Sequence, residues 1–239
     1  MEKILSLSHV GFEYKTRTGF FKSFKHSALK DISLDLHKGE TLGILGRNGS
    51  GKSTLLQILA GLIEPTQGSI QVSDPGLTRS MLSLGLGFKQ DLTGLDNTLI
   101  SLVLQGKSKT EAQAMVEQIE DFSELGKFFY QPVKTYSAGM RARLGFATGV
   151  CSEVELFLID EVLSVGDISF REKAEQSMMN KLKNTQTVAF VSQSPTQVVT
   201  LCDRAIWIHD GLIAAEGDPD NVAAEYISVI GRKKGGRYQ

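Results

Sequence analysis

Eight consecutive residues carry the clearest chemistry in this chain: Gly46-Arg47-Asn48-Gly49-Ser50-Gly51-Lys52-Ser53. They spell G-x-x-x-x-G-K-S, the pattern of a loop that wraps a string of phosphates. Such a loop turns tightly while several backbone N–H groups point inward. Glycines at 46, 49 and 51 permit this, because a Cβ would obstruct the turn or the phosphate. Lys52 is long enough to reach the β- and γ-phosphates of a triphosphate, and the Ser53 hydroxyl is a hard oxygen ligand suited to Mg²⁺. A glycine-rich turn that binds nothing would not need the Lys-Ser pair, a strand before it and a helix after it.

The elements that must position this loop are legible on both sides. Residues 41–45 form an apolar strand that runs into it. Residues 53–62, with Leu55, Leu56, Ile58 and Leu59, predict a helix whose N-terminus adds partial positive charge to the phosphate site. A second apolar run, residues 154–159, ends in Asp160-Glu161 and predicts a parallel strand buried on both faces. Asp160 at its end is suited to hold Mg²⁺ through Ser53 and water. Glu161 is suited to orient or deprotonate an attacking water. No Asn-Lys-x-Asp guanine-reading motif occurs, which disfavours a GTPase, and the Glu after the Asp disfavours a small-molecule kinase.

The remaining elements fit around these two. Residues 4–14 predict a strand pair broken at Gly11, and residues 31–36 a half-buried strand. Residues 15–26 mix cations and aromatics, as in an exposed loop folded onto a sheet or a contact with a membrane surface. After a short strand at 69–73 and an apolar, glycine-spaced one at 81–88, the pattern turns helical. Residues 96–105 predict one helix, and a capping box at Thr110-Glu111-Ala112-Gln113 opens another. Pro132 ends that run. Residues 89–150 therefore predict a helical subdomain inserted into a core of residues 1–88 and 151–239, all in one domain. A helix at 168–183, a buried strand at 187–191, a hairpin about Asp210-Gly211 and a last helix with Pro219 at its first position complete an α/β pattern. The basic tail, residues 232–239, predicts a solvated end.

The bulk numbers remove several classes. The 239 residues are 41% hydrophobic, ordinary for a globular protein, and the formal net charge of −1 argues against a general nucleic-acid binder. Cys151 and Cys202 lack metal-ligand spacing and predict reduced thiols. The first residues carry no signal-peptide pattern, and no apolar run approaches the roughly 20 residues that span a bilayer. The expectation is a chain that does not cross a membrane by itself.

Taken in order, the phosphate loop, Tyr136-Ser137-Ala138-Gly139-Met140, the strand ending in Asp160-Glu161 and then Ser164-Val165-Gly166-Asp167 resemble the nucleotide-binding subunit of ABC transporters. The match runs over nearly the whole chain. It is nearest to the subunits that export polysaccharides, on the strength of Leu92-Thr93-Gly94-Leu95-Asp96-Asn97, of Tyr136 through Phe146, and of Asp160 through Asp167. Most of the family carries Leu-Ser-Gly-Gly-Gln where this chain has Tyr-Ser-Ala-Gly-Met.

The resemblance implies a P-loop ABC cassette: a mainly parallel core sheet, an antiparallel N-terminal β subdomain and the inserted helical subdomain. It implies ATP held by Gly46, Arg47, Asn48, Gly49, Ser50, Gly51, Lys52, Ser53 and Thr54, with Tyr14 stacked on the adenine. Two copies would face each other head to tail, so that Ser137 and Gly139 of one meet the γ-phosphate held by the other, and Asp167 would cross that interface. Mg²⁺ would be held by Ser53 and Asp160, sensed by a loop glutamine. That glutamine falls at Lys89 or Gln90, and Gln90 is favoured because an amide oxygen ligates Mg²⁺ and an ammonium does not. The catalytic set implied is Glu161, Lys52 and residue 193. The family carries a histidine at 193; this chain has Gln193, which donates a hydrogen bond but carries no charge, so hydrolysis is expected to be slow.

The function implied is an ATPase subunit on the cytoplasmic face of a bacterial inner membrane, driving export of a lipid-linked polysaccharide, O-antigen foremost. Its partners would be a second ATP-binding subunit and a polytopic permease in two copies. Some O-antigen exporters add a carbohydrate-binding domain; this chain ends before one, which places substrate recognition elsewhere. Capsule or teichoic acid export is the alternative, followed by a soluble ABC ATPase acting on ribosomes or DNA, or a regulator that barely hydrolyses. Intact Lys52, Asp160 and Glu161 speak against the last.

Overall fold

A computed structural model describes residues 1–17, 23–82, 87–160, 168–183 and 187–235. In chain order the elements are β1 (Lys3–Arg17), β2 (Ser23–His37), β3 (Thr41–Leu45), α1 (Lys52–Leu59), β4 (Gln67–Val72), β5 (Arg79–Leu82), α2 (Gly94–Leu104), α3 (Lys109–Ala114), α4 (Val116–Ser123), α5 (Ala138–Cys151), β6 (Leu156–Asp160), α6 (Ile168–Lys183), β7 (Thr187–Ser192), α7 (Pro195–Leu201), β8 (Arg204–His209), β9 (Leu212–Gly217) and α8 (Pro219–Gly235). They cluster into two units, residues 1–77 with 185–239, and residues 78–184.

In the first unit the strands lie in the order β4-β1-β2-β9-β8-β3-β7. The centre is parallel: β3 pairs with β7 on one side and β8 on the other. All five residues of β3 are buried, which is why its sequence is apolar throughout rather than alternating. The outer part is antiparallel, with β1 between β2 and β4, and β8 returning as β9. The parallel core and antiparallel N-terminal region expected from the sequence are both present. The β8–β9 turn is made by Asp210 (φ 49°) and Gly211 (φ 77°), a backbone shape that Asp-Gly accepts cheaply.

Residues 15–17 and 23–26, expected in a loop, lie instead in β1 and β2, and three further local expectations change. Residues 3–17 form one strand, not a pair broken at Gly11. Gly11 marks a register shift instead, where a Cβ would crowd the Lys30 carbonyl at 3.1 Å and where the Gly11 carbonyl accepts the Thr66 N–H. Helix α1 stops at Leu59, not 62. Gly61 takes φ 72°, and Leu62 is 67% exposed, so the apolar pattern no longer serves a buried face.

The third change lies in the second unit. There β5 and β6 pair in parallel, and helices α2–α5 with two 3₁₀ turns (Gly126–Tyr130 and Val133–Thr135) form the helical part. The capping box of α3 is Ser108 with Glu111, two residues before the one expected at Thr110: the Ser108 hydroxyl accepts the Glu111 N–H and the Glu111 carboxylate accepts the Ser108 N–H. Phe170, Ala174 and Met178 of α6 are buried as one face, as the spacing requires. Among the described residues no helix is long and apolar enough to cross a membrane. Both cysteines are free, and burial pushes their thiols up, to about 11 for Cys151 and about 12 for Cys202.

Candidate nucleotide site

The phosphate loop leaves the buried end of β3 and enters α1, whose Leu55, Leu56, Ile58 and Leu59 are fully buried. Each such side chain contributes roughly 1.5–3 kcal/mol by leaving water, which anchors the helix and so the loop. Two glycines explain the loop's tightness. A Cβ on Gly46 would lie 2.5 Å from Ser50 Oγ and 2.7 Å from the Ile208 carbonyl of β8. Gly51 has φ 110°, and its Cβ would lie 2.6 Å from the Ala28 carbonyl of β2. The loop is thus backed by β8 and β2, and Gly211 donates its N–H to the Ser50 carbonyl at 3.2 Å.

Within this cradle Lys52 is buried, and its Nζ donates to the carbonyls of Gly46 (2.8 Å) and Arg47 (3.0 Å). The ammonium lies folded across the loop, where a phosphate oxygen can replace those carbonyls. Ser50 Oγ is buried without a hydrogen-bond partner. A buried hydroxyl costs free energy until it finds one, and an anionic oxygen in the loop would supply it. Arg47, Asn48 and Ser53 are exposed, and Thr54 is buried. The loop therefore fits a phosphate chain.

Two further sequence-chosen residues share this unit. Ser192, the last residue of β7, pairs with Leu45, the residue before the loop. Gln193 therefore leaves the sheet beside Gly46, exposed. Its turn is fixed from below: fully buried Ser192 donates its hydroxyl to Gln197 Oε1 at 2.7 Å and accepts the Ser194 N–H at 3.0 Å. Tyr14 is not a core residue. Its ring is 41% exposed, meets Phe12 edge-on at 4.8 Å, and holds its hydroxyl 3.2 Å from Thr54 Oγ1.

The second unit holds the others. Ser137 caps α5, accepting the Met140 N–H at 3.1 Å, and leaves the first N–H groups of that helix at an exposed end. A Cβ on Gly139 would meet nothing nearer than Ser137 Oγ at 3.8 Å. Tyr136 is buried, and its hydroxyl donates to the Phe128 carbonyl at 2.6 Å. Burial pushes its pKa up to about 12. Helix α5 is held by an aromatic triangle, Phe122, Phe146 and Phe170, with all three pairs of ring centroids 6.0 Å apart. Arg143 lies 4.9 Å over Phe170, and Lys173 4.6 Å over Phe122 while bonding Glu124 at 2.8 Å.

Asp160 ends β6 half-buried after four buried residues. Glu161 and Asp167 lie outside the described residues. Lys89 and Gln90 are both exposed. Sequence reading quoted Asn97 within Leu92–Asn97 but assigned it no role, and the structure supplies one. It is 3% exposed; its Oδ1 accepts the Lys89 N–H at 2.7 Å, and its Nδ2 donates to the carbonyls of Lys89 (3.0 Å), Leu92 (3.3 Å) and Thr93 (2.8 Å). One amide thus holds the shape of the loop that carries Gln90. The signal available was only an Asn one residue after the Thr93–Asp96 capping box.

A hydroxyl at Ser53, a carboxylate at Asp160 and an amide oxygen at Gln90 are all hard oxygen donors, the kind Mg²⁺ takes alongside substrate phosphates. The described residues hold no group of three or more His, Cys, Asp or Glu side chains that could retain a metal by themselves. Each of the three, Ser53 in the first unit and Asp160 and Gln90 in the second, is by itself a donor type that fits Mg²⁺.

Fold and loop together define a P-loop α/β cassette. An ATP-binding cassette in a dimeric post-hydrolysis state with ADP and Pi superposes at TM-score 0.73, covering 90% of this chain and 99% of that one at 22% identity. A second, described as the ATP-binding subunit of an ABC transporter, superposes at 0.73 over 93% of each at 20% identity. The ABC transporter family profile matches residues 29–164. The O-antigen export system ATP-binding protein RfbB of Klebsiella pneumoniae is 37% identical over 96% of this chain and 100% of its own. The chain belongs to the ABC transporter family. The teichoic acids export ATP-binding protein TagH of Listeria innocua is 43% identical over 85% of this chain, which spans 60% of that relative's length.

Proposed function

We propose that this chain is the ATP-hydrolysing subunit of an exporter that moves a lipid-linked surface polysaccharide, O-antigen foremost, across the bacterial inner membrane. The observation that carries this reading is the end-to-end match to an O-antigen export ATP-binding protein. A teichoic acid is the second reading, favoured by 43% identity to the Listeria protein. The chain acts as one cassette, in which residues 89–150 are the helical subdomain that meets a permease. It sits on the cytoplasmic face through that permease and needs no nucleic acid.

In this reading the loop N–H groups and Lys52 hold the β- and γ-phosphates. Lys52 gives up the Gly46 and Arg47 carbonyls to do so. Mg²⁺, held by Ser53 and Asp160 with Gln90, would neutralise charge on the phosphate oxygens. Glu161 accepts the proton of the attacking water. Gln193, next to the loop, donates an amide hydrogen bond toward the γ-phosphate. Ser137 and Gly139 of a second copy complete the site: the exposed N-terminus of α5 attracts an anion, and Gly139 leaves room for its approach. Two identical subunits would each carry the 193 change, so turnover is slow at both sites.

The test is Glu161→Gln in the purified protein. Turnover should vanish while an ATP-bound dimer accumulates on size exclusion, and the wild type should co-purify with a polytopic membrane protein in detergent. Wild-type turnover in the variant, or recovery of the chain only in ribosomal fractions, overturns the proposal.

A further inference from the structure

Strands β1 and β2 continue past the rest of their sheet. Pairing of β1 with β4 ends at Gly11, and β2 meets β9 at Asp31. Beyond these points Glu13↔Ser27, Tyr14↔His26, Lys15↔Lys25, Thr16↔Phe24 and Arg17↔Ser23 form a ribbon with which no other described strand pairs. A lone two-stranded ribbon is marginal in water, so its faces decide what it is for.

Residues opposite each other in an antiparallel pair share a face, and neighbours along a strand alternate. One face therefore carries Glu13, Lys15 and Lys25. It is charged and suited to water, with Lys25 Nζ 3.8 Å from Glu13. The other carries Phe12, Tyr14, His26 and Phe24, with Thr16 as its polar member. It is an aromatic strip, yet Tyr14 is 41% exposed, Phe24 61% exposed and His26 exposed.

The strip has a fixed relation to the phosphate loop. The Tyr14 hydroxyl lies 3.2 Å from Thr54 Oγ1 and 3.4 Å from Gln57 Oε1, both on α1. Two residues along β2 from His26, the Ala28 carbonyl abuts Gly51 of the loop. The aromatic face is therefore held beside α1 and the phosphate loop, within reach of what a nucleotide carries beyond its phosphates. The flat apolar faces of a base stack on aromatic rings, and no other described strand pairs with this ribbon.

We propose that the nucleobase site extends beyond Tyr14 onto β2: His26 and Phe24 contact the base, and the strip is a floor of three side chains suited to a purine. This rests on the nucleotide reading above and adds to it two base-contacting residues.

The experiment is calorimetric titration of the full chain with Mg²⁺ and the β,γ-imido analogue of ATP. Inorganic tripolyphosphate, which has phosphates and no base, is the second probe. Phe24→Ala should weaken the ATP analogue roughly five-fold or more, His26→Ala should weaken it in the same direction, and both should leave tripolyphosphate binding unchanged. Phe24→Trp should retain or tighten analogue binding, and equal melting temperatures show that the ribbon survives. If the wild type binds neither probe, the nucleotide reading fails and this inference with it. If Tyr14→Ala weakens the analogue while Phe24→Ala and His26→Ala do not, the inference alone is overturned. Equal weakening of both probes by Phe24→Ala also overturns it, since the residue would then act through the loop.

Discussion

Arg204→Ala should be strongly destabilising although it lies outside the phosphate loop. Arg204 opens β8, and its guanidinium binds Glu40 twice, Nε to Oε2 at 3.1 Å and Nη2 to Oε1 at 2.8 Å. It also donates to Glu216 of β9 and to the Asp35 carbonyl of β2 at 2.6 Å. Glu40 is 6% exposed, just before β3. One side chain thus ties together β8, β9 and β2 and the residue that leads into β3, and β8 and β2 back the loop at Ile208 and Ala28. Burial alone would lower the Arg204 pKa, but the bonds and charges of Glu40 and Glu216 together outweigh it and the net shift is upward. Removing the cation leaves the Glu40 carboxylate with the His37 N–H at 2.7 Å as its remaining backbone donor. Breaking a buried pair costs about 3–5 kcal/mol. At roughly 2–4 °C per kcal/mol for a chain of this size, the melting temperature should fall by about 6–20 °C. The double variant Arg204→Met, Glu40→Leu should recover most of that loss, because no charge is left stranded. Calorimetric melting of the three proteins reads this directly. A single-variant cost under about 1 kcal/mol, or a double variant no better than the single, would refute the reasoning.

Other outcomes follow from the same geometry. Gln193→His should raise steady-state ATP turnover, since the turn held by Ser192 and Gln197 already presents residue 193 beside Gly46; an unchanged or lower rate in a phosphate-release assay would sink this. Asn97→Ala removes the amide that holds Lys89, Leu92 and Thr93, so hydrogen exchange over residues 89–93 should accelerate, and stability should fall by about 1–3 kcal/mol for the buried groups left unpaired. Unchanged exchange in that loop counts against the assignment. Tyr136→Phe should blunt alkaline destabilisation. The folded-state pKa is raised from 10.0 to about 12, so the unfolded chain releases this proton first. The stability linked to it is complete below pH 10 and is lost as pH rises through 12. Melting curves at pH 9 and pH 11 should therefore lie closer together in the variant than in the wild type.

Much of the site was legible because its chemistry is local. Gly46 through Ser53 must be contiguous to wrap a phosphate, so the loop, the strand before it and the helix after it could be read together. The buried strand ending at Asp160 was readable for a similar reason, since burial on both faces leaves an unbroken apolar run. Boundaries were less legible. Ser108 and Thr110 both offer an N-cap hydroxyl, and which one caps α3 depends on where the preceding chain arrives. Gly11 looked like a break because a glycine inside a strand pattern marks either an end or a bulge, and the Lys30 carbonyl decides between them.

Sequence alone determined the phosphate loop, the family and the likeness to polysaccharide export subunits, because motif spacing is a property of the chain. Only the tertiary structure decided what converges on that loop. Gln193 stands beside Gly46 because β7 pairs with β3, 147 residues apart in sequence at Leu45↔Ser192. Arg204 meets Glu40, and Phe24 and His26 share a face with Tyr14, through strand pairing that no local pattern encodes. Register and burial are set by the whole sheet, since each strand's partner lies far along the chain and is chosen by which faces must leave water.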